Sequence, residues 1–349
     1  MREPLSPRGT APLVSIIIVN YNGNEVLEKC IASVMDSDYA NKEIIVVDNF
    51  SRDRILDIVA EKFPIKVIRC DSNIGTAAAN NLGMTNAHGK YFLLLNNDAF
   101  VQKKCIRILV DTALKLGSGF YQPKILFARN TNLINSAGNM ITIAGFGYCR
   151  QWGCLDDAPD AKDEEVAYAS GACLLASREC VGIIGMLEPV LFAYHEDLDW
   201  GWRGWIAGQK SVYVPSAVAY HMYKHSWKNY PDTVRYLVER NRLFVILKNY
   251  SSKSLLLLAP IILSTEFGVL VTAFVNGWIT QKIRGYFWLA QMFAYLRRQR
   301  ETIRRIRTVP DAVVCSVFTP NAAHSTLPSF VNVADSFHRR FWELIRNSL

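Results

Sequence analysis

The sequence has no paired C-x-x-C spacing. Its eight cysteines, Cys30, Cys70, Cys105, Cys149, Cys154, Cys173, Cys180 and Cys315, are scattered, which excludes a zinc ribbon or a dithiol redox centre and predicts reduced, mostly buried thiols. An apolar leader is also missing. MREPLSPRGTAP precedes a first apolar run, Leu13 to Val19, that is too short for a signal core and continues into folded-type sequence, so the folded part that follows is expected in the cytosol. There is no internal repeat and no motif of nucleic-acid binding. Acidic residues are scarce only in the tail: residues 1–250 hold 27 Lys and Arg against 26 Asp and Glu, whereas residues 251–349 hold 12 against 5. The net charge of +8 therefore belongs to the tail and predicts attraction to an anionic membrane surface rather than to nucleic acid.

Half of the 349 residues are apolar, enough for a substantial core and too many for disorder. Four short β-branched runs come early, Val14–Asn20, Glu43–Asp48, Ile65–Arg69 and Tyr91–Asn96. Between them lie stretches with helical spacing, such as Glu25, Val26, Leu27, Ile31, Val34 and Met35, then Ile55, Ile58 and Val59. The alternation predicts an α/β fold, a mostly parallel sheet with helices on both faces. In such sheets ligands bind beyond the carboxyl ends of the strands, where Asn20-Tyr21-Asn22, Asp48-Asn49 and Asn96-Asn97-Asp98 stand. Residues 130–165, rich in Gly, Asn and Asp, read as an irregular excursion near the cleft. Apolar order returns at Val166–Ala176 and at a strand over Ser211–Val214, and composition changes near Tyr250. The domains expected are a tail at 1–12, a nucleotide-binding catalytic domain at 13–250 and a membrane-associating helical region at 251–349.

A nucleoside diphosphate leaving group calls for a divalent cation with oxygen ligands. Asp98, at the end of the buried run YFLLL, offers one at a fixed place, although Asn-Asn-Asp also suits a plain turn. Asp48 either caps the following helix or binds a base or ribose. Asn73-Ile74-Gly75 opens a small-residue helix, TAAANNLG, whose first amides are candidates for holding a diphosphate. Glu196-Asp197-Leu198-Asp199 sets three carboxylates beside Trp200, Trp202 and Trp205. Aromatic faces next to acids suit a sugar, so Trp200 and Trp202 are expected on the acceptor side.

In order, VSIIIVNYNG, VVDNFSRD, NIGTAAANNLG, YFLLLNND, SGACLLASREC, HEDLDWGWR, AGQKSVYVPSAVAYHM and ERNRLFVILKN resemble the inverting glycosyltransferases of family 2 with the GT-A fold, especially the rhamnosyltransferase-like branch. The resemblance runs from about Leu13 to about Tyr250. It implies that Tyr21 and Asp48 hold the donor's base, with Asn20, Asn73, Gly75 and Asn96 also on the donor side and Gly171 by the donor sugar. It also implies that Asp98 closes a D-x-D-type metal element, with Asn96 at its first position, and that His221 is a further ligand to Mn2+ or Mg2+. Asp197 matches the catalytic base and Glu196 is its acidic neighbour. The implied reaction moves a sugar, such as rhamnose, from a UDP- or dTDP-linked donor to a saccharide or lipid-linked acceptor, with inversion, in cell-surface glycan synthesis. Two other classes stand beside it. A sugar nucleotidyltransferase usually carries a basic Gly-rich loop for a triphosphate, and YNGNEVLEKC has one Gly and no Arg; a non-catalytic membrane scaffold has no need of Asp98, Asp197 and His221.

Thirteen Leu, Ile, Phe or Val residues lie between Leu255 and Val275, worth roughly −4 to −8 kcal/mol of insertion free energy. Pro260 and Glu266 interrupt them, and arginines at 284, 297, 298, 300, 304, 305 and 307 follow. A single crossing would either export the more basic flank or place the catalytic domain outside. The expectation is a bent re-entrant hairpin over Ser254–Trp278, or a segment lying in the interface, with Ile283–Leu296 and its aromatics Tyr286, Phe287, Trp288, Phe293 and Tyr295 among headgroups.

Overall fold

A computed structural model describes residues 11–157, 162–222, 231–320, 339–346 and 349; residues 1–10 of the expected N-terminal tail lie outside the described residues. The early runs form parallel strands because their apolar residues cover both sheet faces. Val14, Ile16 and Ile18 face one layer of helices and Ile17 the other, all without accessible surface. The chain runs β1 (Val14–Asn20), α1 (Glu25–Met35), β2 (Lys42–Asp48), α2 (Ile55–Lys62), β3 (Lys66–Arg69), α3 (Gly75–Thr85), β4 (Tyr91–Asn96), β5 (Ala99–Val101), α4 (Cys105–Leu116) and β6 (Gly119–Phe127). It continues through β7 (Asn130–Ser136), β8 (Asn139–Ile141), β9 (Gly147–Cys149), β10 (Glu164–Val166), β11 (Cys173–Ser177), α5 (Arg178–Ile184), α6 (Glu196–Ile206) and β12 (Lys210–His221). Then follow α7 (Pro231–Asn249), α8 (Ser252–Val275), α9 (Ile279–Gln291), α10 (Phe293–Ile306) and α11 (Asp311–Val314).

The main sheet has the order β10-β12-β6-β11-β4-β1-β2-β3, with β5 added to β12 and β7 to β6. β1 pairs in parallel with β2 and β4, and the register sets Asn20 opposite Asp48 and Val19 opposite Asn96. The three polar strand ends therefore share one edge. β11 is antiparallel to both β4 and β6, which makes the sheet mixed.

Two boundaries differ from expectation. The run 166–176 splits, because Val166 ends β10 and β11 begins only at Cys173. The strand expected over Ser211–Val214 extends to His221. Its register against β6 shifts between Val214 and Val218, so the bulge absorbs Pro215, which has no N–H for the ladder. The 130–165 excursion carries four strands, with β8 and β9 forming their own antiparallel pair.

The C-terminal helices share a core with the sheet domain: Trp202, Trp205 and Phe244 pack with Leu258, Ile261, Leu296 and Phe318. α8 is one helix over Ser252–Val275, so the re-entrant bend expected within Ser254–Trp278 is corrected. The reversal comes after it, at Gly277, whose φ of 74° suits glycine. Of the aromatics expected among headgroups, Trp288 lies against Phe244 and the Arg240 guanidinium, and the Tyr286 and Tyr295 hydroxyls donate to Glu266 and Glu188. Only Phe287 and Phe293 of that group are largely exposed.

Candidate active site

Side-chain amides knit the three strand ends together. Asn97 Nδ2 donates to Asn20 Oδ1 at 3.1 Å, and Asn20 Nδ2 donates to Asp48 Oδ1 at 3.4 Å and to Ser51 Oγ at 3.0 Å. Asn20 is fully buried, so this amide is committed to the frame. Gly23 is required by the same cluster: a Cβ there would lie 2.3 Å from Asn20 Oδ1. Asp48 also accepts from the Ser51 amide and lies 3.7 Å from the Arg69 guanidinium. It thus holds the turn after β2 rather than capping α2, which starts at Ile55 without a side-chain cap, and Tyr21 stays 39% exposed.

Asp98 follows β4, and His221 ends β12. The β5 to β12 pairing sets His221 opposite Ala99, which brings His221 Nε2 to 3.3 Å from Asp98 Oδ1. The other ring nitrogen lies 3.2 Å from Asn135 Oδ1, which fixes the imidazole's orientation. One carboxylate and one imidazole on rigid strand ends fit a divalent cation whose remaining ligands come from a diphosphate and water. No group of three or more His, Cys, Asp or Glu able to hold a metal occurs among the described residues.

Asp197 lies in the first turn of α6. Its Oδ2 accepts from the Gly171 amide at 2.8 Å and its Oδ1 from the Leu198 amide at 2.8 Å. Gly171 precedes Ala172, whose carbonyl accepts from the Asn96 amide at 3.0 Å, so the end of β4 and the acid on α6 are braced by adjacent peptides. Burial raises the Asp197 carboxyl above its ordinary range despite these bonds. Burial, and then the charge of Asp197, push Glu196 up to about 8. Glu196 Oε2 is buried without a hydrogen-bond partner although the residue keeps some accessible surface. A protonated Glu196 beside an ionised Asp197 is the arrangement this environment favours at neutral pH. Burial and the Arg242 charge lower the neighbouring His195 to about 4, so it is neutral there.

The segment entering α6 has unusual backbone. Phe192, Tyr194 and His195 all have φ of 66°. Phe192, with ψ of −65°, centres a tight turn closed by the Ala193 amide on the Leu191 carbonyl at 2.8 Å. Such residues cost on the order of 1–3 kcal/mol each and persist where surrounding contacts enforce them.

Two expectations are corrected. At the start of α3, the Ile74 amide donates to Asn49 Oδ1 (2.8 Å), the Gly75 amide to Asn73 Oδ1 (3.0 Å) and the Ala77 amide to the Phe192 carbonyl (3.2 Å). With these N–H groups engaged, Asn73 and Gly75 form a clasp rather than a ready diphosphate cradle. Trp200 and Trp202 have no accessible surface. Trp200 packs 4.9 Å from Phe120 and donates to the Gly185 carbonyl, and Trp202 packs against Tyr250 and Phe318. Neither ring faces an acceptor sugar. α6 lies between two core layers, so its tryptophans are consumed by packing.

Asn49, Ser51, Asn97, Asn135 and Asn241 carry the hydrogen bonding of the site without a role in the sequence reading. Asn49, Ser51 and Asn97 adjoin residues that were singled out, so proximity alone could have found them. Nothing local marks Asn135 or Asn241, whose partners lie 86 and about 50 residues away.

The model of glycosyl transferase family 2 matches residues 15–181. An N-acetylglucosaminyl-diphospho-decaprenol L-rhamnosyltransferase of Mycobacterium tuberculosis is 26% identical over 237 residues, covering 61% of this chain and 77% of that protein. An uncharacterized glycosyltransferase of Haemophilus influenzae is 32% identical over 98 residues, 28% of this chain and 33% of that one. The chain thus spans only about a third of that relative's length. The crystal structure of GalNAc-T7 with UDP, GalNAc and Mn2+ superposes with a TM-score of 0.61 at 18% identity, over 82% of this chain and 57% of that chain, a likeness of fold. The match over β1 to α5, together with the GT-A-like fold, makes residues 15–181 similar to glycosyl transferase family 2.

Proposed function

We propose that residues 13–250 form the catalytic domain of an inverting glycosyltransferase that moves a sugar from a UDP- or dTDP-linked donor to a saccharide or lipid-linked acceptor, in the making of a cell-surface glycan. The supporting observation is the bracing of Asp197 by Gly171 and of Gly171's neighbour by Asn96, which ties the carboxylate on α6 to the strand end that carries Asp98. The donor's base would lie by Tyr21 and Asp48, and its diphosphate by Asp98 and His221. A divalent cation held there would neutralise the departing diphosphate. The acceptor hydroxyl oxygen attacks the anomeric carbon, the bond from that carbon to the diphosphate oxygen breaks, and the hydroxyl proton passes to Asp197. Protonated Glu196 adds no second negative charge beside this base.

The rhamnosyltransferase relative supports a deoxyhexose donor and a lipid-linked acceptor, and the Mn2+ in the GalNAc-T7 structure supports the metal. Release of nucleoside diphosphate is to be measured with dTDP-rhamnose, UDP-glucose and UDP-N-acetylglucosamine, with and without Mn2+, using free and lipid-linked saccharides. One donor turned over only with metal and acceptor is the expected outcome. Acceptor-independent indifference of Asp197→Asn would refute the reading.

Residues 251–349 we assign to docking on an anionic phospholipid surface at the cytoplasmic face. Leu256, Leu263, Phe267 and Phe274 are 67–77% exposed and recur at spacings of seven, four and seven, a single face of α8. Phe287 and Phe293 continue the apolar surface, and exposed Arg297, Arg298, Arg304 and Arg305 supply charge complementary to lipid phosphates.

A further inference from the structure

Asn241, on α7, is fully buried. Its amide NH2 lies within hydrogen-bonding distance of the carbonyls of Leu191 (2.9 Å), Ala193 (2.9 Å) and Tyr194 (2.8 Å), its two hydrogens shared among the three. The neighbouring Arg240 donates to the Val190 carbonyl and to Asn241 Oδ1. These carbonyls belong to the segment in which Phe192, Tyr194 and His195 have positive φ and which runs directly into Glu196 and Asp197. Backbone of this kind makes no regular ladder, so its buried carbonyls need other donors, and Asn241 and Arg240 supply them at Val190, Leu191, Ala193 and Tyr194. The same segment seats α3, through the Phe192 carbonyl on the Ala77 amide and the Phe192 ring over Gly75.

We propose that Asn241 is a positioning residue for the transfer reaction: it holds residues 190–195 in the conformation that sets Asp197 against the Gly171 amide. The inference rests on the reading of Asp197 as base. The side-chain chemistry is specific. An Asp would turn a carboxylate with no hydrogen to give toward three carbonyls, and a Gln would add a methylene where the side chain has no free space.

Asn241→Asp removes the donor at constant size, and Asn241→Ser keeps one hydroxyl donor and is the milder variant should the first fail to fold. Amide hydrogen exchange in 189–199 is expected to rise about tenfold or more while β1 and β4 stay protected. With the donor selected from the panel above, kcat is expected to fall about 10- to 100-fold, the scale of a small misplacement of reacting groups, with donor KM within roughly threefold. Asn241→Ser should lie between the wild type and Asn241→Asp in both readouts. Exchange that rises equally in β1 and β4 would show a general stabilising role and overturn the proposal, as would a loosened segment with unchanged kcat. If Asp197→Asn is inactive while Asn241→Ser keeps full kcat and protection, this inference alone fails; if Asp197→Asn is fully active, the transfer reading fails with it.

Discussion

Glu196→Gln should remove a fall in stability with rising pH that the burial of Glu196 imposes on the wild type. The carboxyl has an ordinary value of 4.5 and is pushed up to about 8, by burial first and by Asp197 second. Below pH 4.5 Glu196 is protonated in both folded and unfolded chains and carries no penalty. As pH rises from 4.5 to 8 the unfolded chain releases the proton and the folded one retains it, so wild-type stability falls, and above 8 the loss is complete. At about 1.36 kcal/mol per pH unit across that window the penalty reaches on the order of 5 kcal/mol, reduced to about 2–4 kcal/mol because the residue keeps some contact with water. Gln does not ionise. The variant should therefore differ from wild type by a constant offset at pH 4.5 and gain about 2–4 kcal/mol relative to it by pH 8.5. Urea unfolding at pH 4.5, 6.5 and 8.5 checks this. A difference that stays the same at all three would show that Glu196 is ionised in the folded protein and would remove the protonated neighbour from the proposed base.

Asp197→Asn should lower kcat by about two to four orders of magnitude, the usual worth of a placed general base, with nucleotide affinity nearly intact, and Glu196→Gln should cost less; the reverse ranking in initial-rate assays would move the base by one residue. Asp98→Ala should abolish metal-dependent turnover, and full activity of either this variant or the wild type in excess chelator would refute the cation site. Leu263→Glu with Phe267→Glu should reduce sedimentation with phosphatidylglycerol vesicles about tenfold or more, since both apolar burial and attraction to anionic lipid are lost. Unchanged sedimentation would sink the docking surface, and binding to pure phosphatidylcholine as strong as to the anionic vesicles would remove the role of the arginines.

What was legible in the sequence was local. β1 and β4 stand where their apolar runs end, because a buried parallel strand must be apolar on both faces and stops where polar residues begin. Asp98 and His221 could be suspected singly, yet their 3.3 Å approach depends on β5 pairing with β12 across more than a hundred residues. Periodicity could not show that α6 is enclosed on all sides, so Trp200 and Trp202 read as open aromatic faces. The start of α3 looked like an anion cradle because nothing in NIGTAAANNLG reveals that Phe192 and Asn49 reach its amides. Asn241 stood inside a quoted motif with no role, since its three acceptors become a site only when the fold brings α7 over residues 190–195.

Glu266 decides between crossing a membrane and lying on one. By length and composition α8 is able to span a bilayer. In the fold Glu266 is paired with Arg242, which has no accessible surface, and lies 2.9 Å from Lys282 Nζ, while the Tyr286 hydroxyl donates to it at 2.8 Å. Glu239 completes the cluster, 2.7 Å from Lys282 and 3.0 Å from Arg242, and against the upward push of burial these two cations bring its carboxyl down to about 2. Two carboxylates thus meet two cations, and Arg242 also donates to the Ala144 carbonyl inside the sheet domain. For α8 to cross, Glu266 would leave this cluster for the hydrocarbon at about 3 kcal/mol. Breaking a buried pair adds roughly 3–5 kcal/mol more. The total offsets the roughly 4–8 kcal/mol available from thirteen apolar side chains, and Leu258 and Ile261, already buried in the domain core, would surrender that contact on leaving. Keeping the cluster while spanning would instead draw Ala144, His195 and the adjoining acids of α6 toward the hydrocarbon. Lying on the surface, as proposed, would require neither: the face bearing Leu263 and Phe267 would enter lipid while Glu266, on another face of the same helix, stayed with Arg242 and Lys282.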